Sequence, residues 1–344
     1  MTALCKQVYS KARQTNRLGS QFRGVRRSAK LHKSVYCIRA ESGSQIVGNA
    51  LSLDTGKVLR AKLGERRGLL VPGAANALAA RIIEDLGFEA VYLTGAGVTN
   101  SFWGLPDLGF ISLTEIAQHT TTIREAVEIP VLVDAETGFG NALNVRHCVR
   151  VLERAGADAI QIEDQTMPKK CGHFSNKSVI PVEEMAGKIK AAVDARTSSD
   201  LLIIARTDAV AVDGFEPAIE RVQRYIEAGA DVTFVEAPER ADDIRRIPQR
   251  LSVPQVINIV VGGKTPVFAQ EELAKMGFGL VLYANVALQG AIAGMQTALK
   301  QLKTSGRMDE SSVPQSGIAS FAERQRLVRK PLFDELDGKY AGDK

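Results

Sequence analysis

Cysteine, long apolar runs and early acidic residues are all scarce in this chain, and each scarcity excludes something. Four cysteines occur in 344 residues: Cys5 and Cys37 near the start, Cys148 and Cys171 in the body. Two body cysteines make no disulfide framework, so a reducing compartment is the natural setting. No apolar run reaches the roughly 18 residues of a membrane-spanning helix. Residues 1–40 hold ten Lys and Arg and no Asp or Glu. Without those ten, the 44 basic residues fall to 34 against 39 acidic ones, and a net charge of +5 becomes −5. The basicity belongs to the leading segment, and the body gives no reason to expect nucleic acid as a partner.

An acid-free leader rich in Arg and Ser has the composition of an organelle transit peptide. Val35-Tyr36-Cys37-Ile38-Arg39-Ala40, just before Glu41, is similar to a plastid processing site. The expectation is a plastid address, with mitochondrion or cytoplasm as alternatives. Three regions follow: transit peptide and linker over 1–53, a catalytic domain over 54–303, and a charged helical extension over 304–344.

In the body, short apolar runs alternate with segments of three-to-four-residue apolar period. The runs are Leu69-Val71, Ala90-Leu93, Val131-Val133, Ala159-Ile162, Leu201-Ala205, Val232-Val235, Val256-Ile259 and Leu280-Tyr283. Strands alternating with helices imply parallel strands with crossover connections. Eight such units over roughly 230 residues predict an α/β fold, a closed (β/α)8 barrel with a C-terminal helical extension, over an open doubly wound sheet. Polar residues then fall where barrel chemistry sits, at the carboxyl ends of the strands. Strand two ends in Thr94-Gly95-Ala96-Gly97 and strand three in Asp134-Ala135-Glu136-Thr137-Gly138. Strands four to seven end in Glu163-Asp164, Arg206-Thr207-Asp208, Glu236 and Asn258.

The richest stretch is Ile162-Glu163-Asp164-Gln165-Thr166-Met167-Pro168-Lys169-Lys170-Cys171-Gly172-His173. Its carboxylates suit a hard cation such as Mg²⁺, which takes few protein oxygens and keeps places for water and substrate. Its cysteine suits proton transfer, and the neighbouring lysines and histidine are expected to pull the thiol below its free pKa of roughly 8.5. Gly172 lets backbone approach a ligand closely. The connection from Asp164 to Pro181 is long for a βα loop, which predicts a gate over the site. A solvated loop with an idle cysteine is the bland alternative, and the rim cluster weighs against it. His119, His147 and Cys148 lie on helical patterns and read as packing or surface positions.

These residues match a known family. Thr94-Gly95-Ala96-Gly97, Gly104-Leu105-Pro106-Asp107-Leu108-Gly109, Val133-Asp134-Ala135-Glu136-Thr137-Gly138-Phe139-Gly140, Ile162-Glu163-Asp164-Gln165, Lys169-Lys170-Cys171-Gly172-His173, Ala205-Arg206-Thr207-Asp208-Ala209 and Val235-Glu236-Ala237 resemble the isocitrate lyase and phosphoenolpyruvate mutase superfamily. The resemblance covers roughly Val58 to Lys303. Within the superfamily the cysteine loop resembles the carbon–carbon lyases, among them the 2,3-dimethylmalate and methylisocitrate lyases.

The resemblance implies Mg²⁺ or Mn²⁺ as cofactor, held by Asp134, Glu136, Glu163 and Asp107. It implies Cys171 as catalytic acid, Tyr92 as base, and Arg206 and His173 at the chemistry. Substrate contacts are implied at Thr94, Gly95, Ala96, Gly172, Arg206, Glu236 and Asn258. A homotetramer that exchanges its last helices is also implied. The expected reaction is cleavage of a 2-hydroxy dicarboxylate of the 2,3-dimethylmalate type to a 2-oxo acid and a carboxylate. Methylisocitrate cleavage, oxaloacetate hydrolysis and phosphonate chemistry are the alternatives within the family, and an inactive carboxylate-binding protein is the alternative outside it.

Three departures bear on substrate. Glu136 stands where the family has an aspartate. Asn258-Ile259-Val260 lacks a hydroxyl that methylisocitrate lyase carries. Gln289 stands where that enzyme has an arginine for a third carboxylate. An unpaired buried carboxylate costs several kcal/mol, so a dicarboxylate fits better than a tricarboxylate.

Overall fold

The computed structural model describes residues 54–174, 176–309 and 317–341; the expected leading segment 1–53, with Cys5 and Cys37, lies outside them. After helix α1 (Thr55–Gly64) the chain alternates strands and helices. The strands are β1 (Leu69–Ala74), β2 (Val91–Leu93), β3 (Val131–Asp134), β4 (Ala159–Glu163), β5 (Leu202–Thr207), β6 (Val232–Val235), β7 (Gln255–Asn258) and β8 (Leu280–Tyr283). All are parallel, and β1 pairs with β8 to close the barrel in sequence order. The eight expected strands are all present, their ends displaced by at most three residues.

The period-two alternation of strands sorts these residues. Leu132, Leu202, Ile204, Val232, Phe234, Val256, Leu280 and Leu282 fill the barrel interior with Leu59 and Leu63 of α1. The intervening Val131, Val133, Ile160, Ile162, Ile203, Ala205 and Val281 face outward, where the helices cover them. Continuing the inward parity past the apolar layers gives Asp134, Glu163, Arg206, Glu236 and Asn258. The same alternation that builds the core thus delivers the polar side chains to the barrel mouth.

Helices start where side chains satisfy orphan amides. Asn76 caps α2 (Ala77–Asp85), accepting from Ala79 N at 2.9 Å. After β2 comes a single-turn helix, α3 (Gly95–Val98), and a π-helical turn over Thr99–Trp103. Capping boxes open α4 (Leu113–Ala126, Ser112 with Glu115) and α5 (Ala142–Arg154, Asn141 with Asn144). Then follow α6 (Val182–Ala195), α7 (Val210–Asp213), α8 (Phe215–Glu227), α9 (Ala241–Arg250), α10 (Gln270–Met276) and α11 (Val286–Ser305). The last runs past the domain boundary expected at residue 303. The C-terminal extension is helical, with α12 (Phe321–Leu327) and α13 (Lys330–Tyr340). Arg326 ties α12 to α2 by a two-pronged pair with Asp85, at 2.7 and 2.6 Å. Among the described residues no helix is long and apolar enough to cross a membrane.

Candidate active site

The β3 loop carries the first carboxylates. Asp134 Oδ1 accepts the amide of Glu136 at 3.1 Å and Gln161 Nε2 at 3.3 Å, and its Oδ2 accepts the Gly95 amide at 3.3 Å. A Cβ at Gly95 would displace the Glu136 carboxylate, so glycine lets the two stand this close. Glu136 itself has φ +53. A left-handed non-glycine residue costs of order 1–3 kcal/mol and is a mark of functional loops.

Lys169 of the β4–α6 loop reaches into this group. Its ammonium lies 2.5 Å from Asp107 Oδ1 and 2.9 Å from Glu136 Oε2. Burial pulls the lysine pKa down, but Glu136, Glu163 and Asp107 outweigh it and hold it well above the ordinary value. Burial pushes Glu136 up to about 8 against the pull of Lys169. Burial likewise raises Glu163 well above its ordinary value, although Arg206 Nη1 lies 3.3 Å from Glu163 Oε2.

Buried carboxylate oxygens accumulate here without a hydrogen-bond donor in good geometry: Oε1 of Glu136 and Oε2 of Glu236 have none, and Oε2 of Glu136 and of Glu163 meet only the charges of Lys169 and Arg206. Among the described residues no three His, Cys, Asp or Glu side chains already stand close enough to grip a metal together. That is compatible with Mg²⁺, which binds through one or two carboxylates and retains several waters. Hard, orphaned oxygens are the donors such an ion takes, and the residues present fit it.

Across the mouth, Arg206 donates from Nε to Asp208 Oδ2 at 2.9 Å and from Nη2 to Asp208 Oδ1 at 3.2 Å. Its guanidinium carbon lies 5.2 Å from the Phe234 ring centre. His173 Nδ1 accepts the Lys264 amide at 3.1 Å, which leaves the ring proton on Nε2, 3.2 Å from Glu236 Oε1. Burial pushes Glu236 up, but Arg206 and His173 prevail and its carboxyl sits below the ordinary value. Asn258 Nδ2 is 3.5 Å from the same Glu236 oxygen. A Cβ at Gly172 would strike Glu236 and Arg206, so the gate loop packs directly over the mouth.

One expectation needs correction. The Cys171 thiol is raised, not lowered: burial is the largest cause, ahead of a lowering hydrogen bond from the His173 backbone. Its neighbouring lysines point elsewhere: Lys169 turns to Asp107 and Glu136, and Lys170 donates to Asn176 O at 2.8 Å. The protonated thiol is the form a catalytic acid needs. Tyr92 donates its hydroxyl to Gln161 Oε1 at 2.8 Å. Burial, with Asp134 next, pushes the phenol well above its ordinary value.

Of the expected substrate contacts on this turn, two amides are already engaged: Thr94 N donates to Ala74 O at 3.2 Å and Gly95 N to Asp134 Oδ2 at 3.3 Å, while Thr94 Oγ1 accepts Gly97 N at 3.2 Å. Cys148 packs in the α5 core, where burial pushes its thiol up to about 12. His119 stacks edge-on to Phe102 at 5.5 Å. Gln161, Asp208 and Lys177 were not among the expected site residues. Gln161 was detectable as an inward-parity polar residue in an apolar strand; Lys177, a lysine in a loop, carried no such signal.

Comparison with known proteins agrees with this geometry. A family model described as phosphoenolpyruvate phosphomutase matches residues 59–303. The chain is 40% identical over 293 residues to a 2,3-dimethylmalate lyase of Eubacterium barkeri, covering 84% of this chain and 99% of that protein. It is 45% identical over 251 residues to a 2-methylisocitrate lyase of Aeropyrum pernix, covering 73% and 80%. It is 40% identical over 285 residues to a chloroplastic carboxyvinyl-carboxyphosphonate phosphorylmutase of Arabidopsis thaliana, covering 81% and 83%. Among solved structures, an oxaloacetate acetylhydrolase bound to 3,3-difluorooxalacetate superposes with TM-score 0.77 at 30% identity, covering 84% and 98%. A phosphonopyruvate hydrolase with oxalate and Mg²⁺ gives 0.74 at 30%, covering 83% and 99%. The chain belongs to the isocitrate lyase and phosphoenolpyruvate mutase superfamily, and it is an enzyme of the carbon–carbon lyase type.

Proposed function

We propose that this enzyme cleaves a 2-hydroxy dicarboxylate of the 2,3-dimethylmalate type into a 2-oxo acid and a carboxylate, with Mg²⁺ as cofactor. The observation that carries this reading is the half-buried Cys171 next to Gly172, whose backbone packs against Arg206 and Glu236, above a mouth of carboxylate oxygens without hydrogen-bond donors.

Asp134, Glu136, Glu163 and Asp107 would hold Mg²⁺, which when bound polarises the substrate oxygens and neutralises charge developing on them. Arg206 offers a planar fork to a carboxylate, a geometry lysine does not reproduce. Tyr92 Oη, on the inward face of β2 and donating to Gln161 Oε1 at 2.8 Å, is the candidate to accept the hydroxyl proton. The bond between the second and third carbons then breaks, and its electron pair stays on the third carbon, stabilised by the adjoining carboxylate. Cys171 Sγ delivers the proton that quenches this carbanion, and the gate loop excludes water meanwhile.

A dicarboxylate is favoured over a tricarboxylate because Gln289, at the start of α11, presents an amide, which reaches the Val261 carbonyl at 3.5 Å. A homotetramer exchanging its terminal helices agrees with α11, which buries none of its side chains and exposes Ile292, Met295, Leu299 and Leu302 along its length. A plastid location is supported by the acid-free leader and by the chloroplastic relative.

The test is release of 2-oxo acid from malate, 2-methylmalate, 2,3-dimethylmalate, methylisocitrate and isocitrate, with oxalate formation from oxaloacetate followed in parallel. Preference for the dimethyl compound, abolished by a chelator, supports the proposal. Preference for a tricarboxylate, chelator-insensitive turnover, or silence across the panel overturns it.

A further inference from the structure

Lys177 is an unusual loop lysine. It belongs to the β4–α6 gate loop, yet its side chain is 1% exposed, and its partner Asp208 is 0% exposed. The ammonium donates to Gly172 O at 2.5 Å and to Asp208 Oδ1 at 2.7 Å. The first contact ties down the loop tip beside Cys171; the second ties that tip to the end of β5. The stem of the loop is closed independently, by Ile180 N to Asp164 O at 2.8 Å and Thr166 N to Ser178 O at 3.0 Å. Lys177 therefore holds the tip and not the stem.

Asp208 is shared. Its Oδ1 accepts both Lys177 and Arg206 Nη2, and its Oδ2 accepts Arg206 Nε. We propose that Lys177 is a positioning residue that latches the gate and, by taking part of Asp208, loosens its hold on Arg206 so that the guanidinium can address a substrate carboxylate. This rests on the reading of Arg206 as the carboxylate fork. In an unlatched gate Asp208 keeps only Arg206 as a cationic partner among the described residues, and carboxylate binding weakens. Closure and substrate capture thereby depend on one ammonium.

Oxalate affinity in the presence of Mg²⁺, measured by calorimetry on the full chain, reads the latch without turnover. Lys177→Met is expected to weaken oxalate by about 100-fold, the scale of truncating one partner of a buried charge pair. Oxalate should also lose its ability to shield Cys171 from iodoacetamide in that variant. Adding Asp208→Asn to Lys177→Met should recover about tenfold, because the neutral amide releases Arg206; a purely structural lysine would show no recovery. Oxalate affinity and Cys171 shielding within threefold of wild type in Lys177→Met would overturn the latch, as would a double variant binding no better than the single one. A wild-type protein that binds oxalate but turns over no member of the substrate panel retires the lyase reading and leaves the latch standing.

Discussion

The two ends of the barrel use buried carboxylates in opposite ways. At the amino end, Asp158 Oδ1 accepts Thr55 Oγ1 at 2.5 Å, while its Oδ2 accepts Val131 N at 2.8 Å and Arg124 Nη1 at 3.2 Å. Asp231 Oδ1 accepts Arg60 at 2.9 Å, and its Oδ2 accepts Arg196 at 2.7 Å and Ile203 N at 2.9 Å. Every oxygen there has a donor. At the carboxyl end, Glu136, Glu163 and Glu236 keep buried oxygens with none in good geometry. Burial does not separate the two ends, since it pushes Asp158 up as well. The supply of donors separates them: a satisfied carboxylate staples strands to helices, and an unsatisfied one is poised for a ligand.

That contrast can be broken by substitution. The largest effect belongs to the carboxyl end: Cys171→Ser is expected to lower kcat/KM by ~10³-fold, the scale of a lost general acid, while the melting temperature hardly moves. Steady-state kinetics beside a thermal melt checks both halves. At the amino end the pattern reverses. Asp231→Ala removes the carboxylate shared by Arg60, Arg196 and the Ile203 amide and, discounted for the exposure of Arg60, should cost about 2 kcal/mol in denaturant unfolding, with turnover per folded molecule within a few fold of wild type.

A smaller effect of opposite sign sharpens the comparison. Glu163→Gln replaces a carboxyl that burial disfavours in its charged form and whose Oε2 lacks a hydrogen-bond donor, so metal-free protein should gain about 1 kcal/mol even as activity collapses. Unfolding in chelator decides this, and destabilisation would show that Glu163 is a staple like Asp231. The smallest effect concerns pH. Burial raises Asp208, but Arg206 and Lys177 prevail and hold its carboxyl below the ordinary value. Its stabilising contribution is thus fully present above the unfolded pKa of roughly 3.9 and is lost as pH falls through the lower folded value. The stability difference between wild type and Asp208→Asn should stay flat from about pH 5 to 8 and shrink only below about pH 4.

Much of the site was legible because it follows strand parity. Asp134, Glu163, Arg206, Glu236 and Asn258 extend the alternation of Leu132, Ile204, Phe234 and Val256, so locating the apolar strands also located the rim. What escaped was set by the gate loop. Cys171 stands next to lysines and a histidine in the chain, which suggested a lowered thiol; in space Lys169 and Lys170 point elsewhere and burial rules. Tyr92 lies on an inward position as expected, but its role as a donor to Gln161 depends on a residue 69 positions away.

The sequence by itself determined the eight strands, their inward and outward faces, the glycines at Gly95 and Gly172, and the family, because these depend on local periodicity and residue chemistry. Only the tertiary structure decided which carboxylates are satisfied, that Lys169 lies between Asp107 and Glu136, and that Lys177 and Arg206 share Asp208. The reason is physical: desolvation and hydrogen-bond supply are properties of what surrounds an atom, and those surroundings are assembled from segments distant in the chain.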